Sequence, residues 1–337
     1  MPVHDAPLTL TAQRALTLPV VIDGRTFTFQ LDTGASETVI KRGTWRTLGL
    51  PPGVATEARG AGGAVDGGEL VPLAELRIGD AIVRDLSVGV LGFDDLGGLE
   101  GIDGVLGQDV LRRYVVEIDV PHGRFTLHAR TPTSEDRPAA PDRSAASDRS
   151  DAPDRSDAPD RSGASDRSDT SDRSVASDRS VASDRSVASD RSNTSDRAAA
   201  PAAPTWDVLG LVAIPYVDTL GLIRIEGALD GVPLAAIFDL GAAATIANHR
   251  AAPHAIAARG PSVFGADGTP IVMATARGRT LAFGDLAFAA RDLFVADLPV
   301  FEVFGLAEQP AAILGMDLLL SRRIVIDPDA RRVYVSI

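Results

Sequence analysis

The sequence predicts an all-β chain built from two similar lobes, each with one short helix. Three observations indicate this: short strand-like runs bounded by turn dipeptides, a low-complexity middle segment, and a set of motifs that occurs once on each side of it. Runs of β-branched or alternating apolar residues that end at Gly or Asp turns are typical of strands. A chain of 337 residues is long enough for two compact domains and a connector.

The composition narrows the class of protein. Hydrophobic residues make up 45% of the chain but aromatic residues only 5%, so the cores must consist mainly of Val, Leu, Ile and Ala. A formal charge of −13 argues against nucleic acid or an anionic membrane as a partner, because both attract cationic surfaces. The chain has no cysteine, which excludes disulfide scaffolds, thiolate metal sites and cysteine nucleophiles.

The sequence also predicts where the protein resides. Its first residues form neither a basic nor an apolar segment of a signal peptide. No run approaches the ~20 apolar residues that a membrane-spanning helix needs. We therefore expect a cytoplasmic protein without a membrane segment.

The middle of the chain predicts a disordered linker over residues 131–205. This segment consists mainly of Ser, Asp and Arg with Ala, Pro, Val and Thr, and Ser-Val-Ala-Ser-Asp-Arg recurs within it. Such a segment cannot bury enough apolar surface to offset the entropy lost on ordering. Its Asp and Arg charges nearly cancel, which is typical of a hydrated tether.

The flanking segments, residues 8–130 and 206–337, are predicted to be copies of one domain. Four features recur in the same order on both sides. The features of the first copy, each with its counterpart in the second, are the turn Asp23-Gly24 (Asp230-Gly231), the motif Asp32-Thr33-Gly34 (Asp239-Leu240-Gly241), the segment Val105-Leu106-Gly107 (Ile313-Leu314-Gly315) and Asp119 (Asp327). In both copies the Asp of the turn lies nine residues before the motif Asp. The motif Asp lies 75 residues before Gly107 in the first copy and 76 residues before Gly315 in the second. Four coincidences in order indicate duplication.

Each copy contains the same predicted elements. In the first they are strands 18–22, 26–31, 73–78, 114–118 and 124–128 with a helix at 109–113. In the second they are strands 222–229, 234–238, 323–326 and 332–336 with a helix at 317–321. Asp119 and Asp327 precede turns and are interpreted as structural.

The motif Leu31-Asp32-Thr33-Gly34-Ala35-Ser36, followed by Val105-Leu106-Gly107, resembles the active site of retropepsin-like aspartic proteases. The resemblance covers both flanking segments but not the linker, and it implies that each segment is a β-barrel lobe and that the two lobes form a pseudo-dimer. It implies an aspartic endopeptidase that needs no cofactor and acts on a polypeptide substrate, with Asp32 and Asp239 as its catalytic pair. It further implies that the residues supporting the active-site loops are Thr33, Gly34, Ala35, Gly241, Gly107 and Gly315.

The implied chemistry is physically consistent with a duplicated domain. Two carboxyl groups in close contact cannot both ionise, so they share one proton. The ionised group can then activate water while the protonated group donates to the scissile carbonyl. Since this requires one Asp from each of two lobes, we expect a monomer that works as an intramolecular pseudo-dimer, although the linker also permits a swapped dimer.

One residue departs from the family pattern. Thr33 has the hydroxyl that braces the opposite loop in this family, whereas its counterpart Leu240 has none and requires an apolar niche instead. This departure leaves two alternatives open. One is a catalytically impaired, protease-like protein that binds peptides or acts as a scaffold, and the other is a homodimer in which only the first lobe is active.

The resemblance also implies flaps that close over the substrate. The candidates lie in 59–68 and 263–269, with residues Gly62, Gly63, Gly265, Asp267 and Gly268 at their tips. Glycine permits the positive φ angles and the mobility that a gating hairpin needs. The alternatives are a surface hairpin without a gating role and a phosphate-binding loop, although no Gly-Lys-Ser/Thr follows.

The sequence contains no motif typical of a metalloprotease or a serine hydrolase. The five histidines show no His-Glu-x-x-His pattern, so no metal site is expected. No Gly-x-Ser-x-Gly motif is present, and Ser36 is interpreted as supporting its loop.

Overall fold

The computed structural model describes most of the two flanking segments. The described residues are 3–60, 63–91, 100–130, 207–257, 263–264 and 270–337. The predicted linker, 131–205, lies outside them.

The first lobe consists mainly of strands. They are β1 (Val3–Pro7), β2 (Thr9–Leu10), β3 (Leu16–Ile22), β4 (Arg25–Leu31), β5 (Val39–Lys41), β6 (Val54–Gly60), β7 (Gly63–Ile78), β8 (Ala81–Leu91), β9 (Gly104–Leu106), β10 (Tyr114–Asp119) and β11 (Arg124–Ala129). Strands β3-β4-β9-β5-β8-β7 lie side by side, and a further pairing of β3 with β7 closes them into a six-stranded barrel. Phe29, Leu31, Val88 and Leu106 are fully buried in its core.

The second lobe repeats this arrangement. Its strands are β12 (Leu211–Thr219), β13 (Leu222–Leu229), β14 (Val232–Phe238), β15 (Ile246–Ala247), β16 (Ile256–Ala257), β17 (Val263–Phe264), β18 (Pro270–Ile271), β19 (Ala274–Phe283), β20 (Leu286–Val295), β21 (Ala311–Leu314), β22 (Arg323–Asp327) and β23 (Arg332–Ser336). The order β13-β14-β21-β15-β20-β19 is closed by a pairing of β13 with β19. The predicted fold class, two retropepsin-like β-barrel lobes, is confirmed.

A third sheet joins the lobes. Its order is β1-β11-β10-β22-β23-β12, so that strands of the first lobe and strands of the second lie in one continuous ladder. The two lobes meet where β10 pairs with β22, and Ile118 lies opposite Ile324. Both side chains are buried, and the two lobes form one compact unit.

The predicted hairpin turns are confirmed at corresponding places in the lobes. Ile22 pairs with Arg25 and Leu229 pairs with Val232, so each hairpin has a two-residue loop. In these loops Asp23 has φ 50° and Asp230 has φ 49°, and each is followed by a glycine that also has positive φ. Asp-Gly is favoured in this loop because both residues tolerate the left-handed conformation.

The prediction of one short helix in each lobe was incomplete. The helices predicted at 109–113 and 317–321 are present as α2 (Gln108–Leu111) and a 3-10 helix, Met316–Leu318. The structure adds α1 (Arg42–Leu48) to the first lobe and α3 (Pro299–Val303) to the second. Both added helices span less than two turns, which is too short for a clear 3.6-residue periodicity.

Candidate active site

Each motif Asp lies directly after a strand of its barrel. Asp32 follows β4, which pairs in parallel with β9, and Asp239 follows β14, which pairs in parallel with β21. The backbone N–H of Asp32 donates to Leu106 O at 3.1 Å, and that of Asp239 donates to Leu314 O at 3.0 Å. Equivalent parallel strand pairings, one in each lobe, therefore hold the two aspartates at the ends of β4 and β14.

The two carboxyl groups lie within hydrogen-bonding reach of each other. Each motif glycine lies against the carboxyl group of the opposite lobe. A β-carbon on Gly34 would lie only 2.6 Å from Asp239 Oδ1, and a β-carbon on Gly241 would collide with the Asp32 carboxyl in the same way. Glycine is thus required at both positions because any side chain would occupy the space of the opposite carboxyl group.

Backbone N–H groups of each loop point at the carboxyl group of the same loop. Gly34 N–H donates to Asp32 Oδ1 at 2.7 Å. Asp239 Oδ1 accepts the N–H groups of Gly241 at 2.8 Å and Ala242 at 3.1 Å. These donors stabilise an ionised carboxylate and fix its orientation.

Burial dominates the electrostatics of the pair. Desolvation and the neighbouring Asp239 carboxylate raise the pKa of Asp32 well above its ordinary value, against the opposing effect of Gly34 N–H. Desolvation also raises the pKa of Asp239, although the N–H groups of Gly241 and Ala242 oppose this. Two adjacent acids in this environment titrate as one unit, with one proton retained over a wide pH range.

Thr33 links the two loops across the lobe interface. Its hydroxyl donates to Phe238 O at 2.7 Å and accepts the N–H of Leu240 at 2.9 Å, and the residue is fully buried. The apolar niche expected for Leu240 is present, since this side chain is also fully buried in the main core cluster. One hydroxyl therefore satisfies two backbone groups of the second loop, while Leu240 contributes packing.

Gly107 and Gly315, directly after β9 and β21, permit close contact with the motif loop of the same lobe. A β-carbon on Gly107 would lie 2.5 Å from the carbonyl carbon of Glu37, and one on Gly315 would lie 2.5 Å from that of Ala244. Ala35 O accepts the Gln108 N–H at 2.9 Å, which ties the first loop to the start of α2. All the predicted loop-support residues therefore lie in or directly against the two motif loops.

Each lobe contains a threonine brace, a side-chain hydrogen bond from Thr38 or Thr245 that was not predicted from the sequence. Thr38 Oγ1 donates to Asp109 Oδ1 at 2.7 Å, and Thr245 Oγ1 donates to Asp317 Oδ1 at 2.7 Å. Each threonine hydroxyl also accepts the N–H of the glycine that precedes the short helix, at 3.1 Å in both lobes. A signal was available, because each Thr lies six residues after its motif Asp.

A cleft of about 440 Å³ opens beside the pair and is lined by both lobes. The first lobe contributes the polar residues Ser36, Glu37 and Glu69. The wall from the second lobe is apolar, and it includes Leu222, Ile237, Val300, Val303, Phe304 and Ile313. Asp239 lies in this lining, so a ligand in the cleft has access to the Asp239 carboxyl group.

The predicted flaps are described only in part. In the first lobe β6 and β7 form an antiparallel hairpin in which Gly60 pairs with Gly63, and Thr56 and Glu69 on these strands line the cleft. Gly62, at the predicted tip, lies outside the described residues. The second-lobe candidates, Gly265, Asp267 and Gly268, also lie outside them, between the paired strands β17 and β18.

Among the described residues no group of three or more His, Asp or Glu side chains is arranged to hold a metal ion. In the same part of the chain, no helix combines the length and apolar character needed to cross a bilayer.

Two closed barrels that each present an Asp-x-Gly loop to the other define a bilobal acid-protease fold. Residues 18–110 match the family described as aspartyl protease, which confirms the predicted resemblance of the first lobe to retropepsin-like aspartic proteases. Among solved structures, the chain is similar to a retropepsin-like aspartic protease from Rickettsia conorii. The identity is 17% and the TM-score 0.29, and the match covers 37% of this chain and 90% of the other. A search of curated proteins found no match.

Proposed function

We propose that this protein is an aspartic endopeptidase whose catalytic groups are Asp32 and Asp239. The observation that carries the proposal is the juxtaposition of the two carboxyl groups, one from each lobe, beside a cleft lined by both. The aspartyl protease match of the first lobe supports the same conclusion.

In the proposed mechanism the carboxyl pair holds one proton and one negative charge. The ionised carboxylate removes a proton from a water molecule, and the resulting hydroxide attacks the scissile carbonyl carbon. The protonated carboxyl donates its proton to the carbonyl oxygen as the tetrahedral intermediate forms. On collapse, the carboxyl that took the proton from water donates it to the leaving amine, and the other carboxylate removes a proton from a hydroxyl of the intermediate, so the pair returns to its starting state.

The cleft suits an extended polypeptide. The hairpin of β6 and β7 borders the cleft, and we assign it the role of a flap that closes over bound substrate. The apolar wall of the second lobe can accept apolar side chains beside the scissile bond. The pairing of both lobes within one chain supports a monomer with an intramolecular active site.

Hydrolysis of unfolded casein tests this proposal. The wild-type protein and the variants Asp32→Asn and Asp239→Asn are compared between about pH 4 and pH 7, the range in which a shared-proton pair can act. We expect the wild-type protein to cleave casein, and each variant to lose cleavage by a factor on the order of 10³ or more.

The same assay separates the alternatives. Loss of cleavage only in Asp32→Asn would indicate a homodimer of first lobes. Peptide binding without cleavage in the wild-type protein would indicate a binding module. Mixing the two inactive variants distinguishes monomer from swapped dimer, because a swapped pair regenerates one intact Asp32–Asp239 site and a monomer does not.

A further inference from the structure

The polar contacts that hold the two loops are distributed unequally between the lobes. Gln30 lies two residues before Asp32, and its counterpart two residues before Asp239 is Ile237. The Gln30 side chain is 5% exposed, and its Nε2 donates across the lobe interface to Gly241 O at 3.1 Å. The second lobe has no amide at this position with which to return the contact.

The accepting carbonyl belongs to a peptide unit that also contacts the second catalytic carboxyl group. Gly241 O and the Ala242 N–H are at opposite ends of the same planar unit. That N–H donates to Asp239 Oδ1 at 3.1 Å. Because the peptide unit is rigid, a donor that fixes its carbonyl also fixes the direction of its N–H.

We propose that Gln30 is a positioning residue that orients the Gly241–Ala242 peptide and through it the Asp239 carboxylate. The inference rests on the proposed function and extends it to a residue outside both motifs. Leu240 has no hydroxyl to reach across the interface, so the side-chain donors that link the two loops come from the first lobe. Thr33 supplies one such donor to Phe238 O, and Gln30 supplies another to Gly241 O.

The proposal predicts how the active site responds to the loss of this amide. In Gln30→Leu the peptide is free to rotate, and Asp239 loses the Ala242 N–H. Ionisation of the pair becomes less favourable, so the acid limb of the kcat–pH profile moves up by about one pH unit. On that limb kcat falls about tenfold while KM is unchanged, because no substrate contact is removed.

Thr17→Val is the matched control for a general loss of stability. Thr17 lies opposite Gln30 in the β3–β4 ladder, is also buried, and donates to Thr9 O rather than to an active-site loop. This variant should lose stability but keep the wild-type pH profile. Gln30→Glu supplies a rescue, because its protonated carboxyl can donate to Gly241 O. Its kcat should approach the wild-type value at low pH and fall as the new side chain ionises.

A second readout does not require hydrolysis. The aspartate carboxyl carbons of the full chain are labelled with ¹³C and titrated by NMR in the wild-type protein, Gln30→Leu and Thr17→Val. We expect the first ionisation of the Asp32–Asp239 pair to move to higher pH only in Gln30→Leu. Identical curves in Gln30→Leu and Thr17→Val would overturn the proposal. If the wild-type protein cleaves nothing, the endopeptidase proposal fails, and this titration still decides the role of Gln30.

Discussion

Gly34 and Gly241 are the residues at which each loop approaches the carboxyl group of the opposite lobe. Neither is required by a left-handed backbone angle, unlike the glycines of the hairpin turns. The requirement is spatial, since a methyl group at either position would overlap the opposite Asp side chain. Each glycine therefore determines how closely the two acids can approach.

Gly34→Ala should separate the carboxyl groups and abolish cleavage while the fold persists, because overpacking of this kind costs about 1–3 kcal/mol. Gly241→Ala should behave alike, since its surroundings are equivalent. Casein hydrolysis and urea unfolding measure the two effects. The control is Gly284→Ala, in a turn with φ 56° and open space around it. It should lose about 1–2 kcal/mol through backbone strain but keep its activity.

Thr33→Val tests the hydroxyl that links the loops. The substitution keeps the shape of the side chain but leaves Phe238 O and the Leu240 N–H without their partner. Two buried backbone groups without partners should lower the free energy of unfolding by about 2–4 kcal/mol. Urea unfolding measures the loss, and a change below about 0.5 kcal/mol would show that the hydroxyl contributes little.

The catalytic and loop-support residues predicted from the sequence all stand in motifs that occur twice. Asp32, Asp239 and the glycines after them stand in matched motifs, and the structure places all of them in the two facing loops. Gln30 could not be found in this way, because its counterpart is Ile237 and its acceptor lies in the other lobe. A contact between residues 211 positions apart has no local signature.

At the scale of elements, the prediction succeeded for strands with a local signal. The Asp-Gly turns fixed the hairpins of β3 with β4 and of β13 with β14. Helix α3 begins at a proline and is followed by Gly305 with φ 66°, which are typical signals of a helix start and a helix end. Its five residues are too few to show a helical periodicity, so it was not predicted. Strand β21 was predicted only as part of a motif. All four of its residues are buried, so its sequence lacks the alternation of apolar and polar residues that identifies a strand.

The Thr38 and Thr245 braces join two elements within each lobe, and their loss should be equivalent. Thr38→Val and Thr245→Val each leave a buried glycine N–H without its acceptor. Each also removes one hydroxyl donor from an Asp carboxylate that keeps a backbone N–H donor. We expect each variant to lose about 2–3 kcal/mol, and the double variant to lose the sum, because the braces lie in different barrels. Urea unfolding of the three variants checks this, and a strongly non-additive result would contradict the independence of the braces.

At the scale of the whole molecule, the joint between the lobes depends on a sheet that could not be predicted from local patterns. Strands β10 and β22 come from different copies of the repeat, and nothing in either specifies the other as its partner. Their pairing is reinforced by Glu117, which is 7% exposed. It contacts His128 Nε2 at 3.0 Å and Arg323 Nε, from the second lobe, at 2.9 Å.

Glu117 gives the interlobe sheet a defined dependence on pH. The His128 ring, and then the Arg323 guanidinium, lower the pKa of Glu117 from 4.5 to about 2. An acid with a lowered folded-state pKa stabilises the fold above its unfolded pKa, and this contribution is lost as pH falls through the folded value. The interlobe contact should thus persist at pH values where a shared-proton pair is active, and weaken only below about pH 4.

Glu117→Gln tests this contribution. Above about pH 5 the variant should be less stable than the wild-type protein by about 3 kcal/mol, and the difference should shrink steadily toward pH 2. Urea unfolding across this range measures it. The control is Glu308→Gln, which removes an ion pair with Arg250 whose side chains are 87% and 58% exposed. Exposed pairs contribute about 0–1 kcal/mol, so this variant should follow the wild-type curve. A difference for Glu117→Gln that stays constant or grows as pH falls would show that the Glu117 charge does not stabilise the joint.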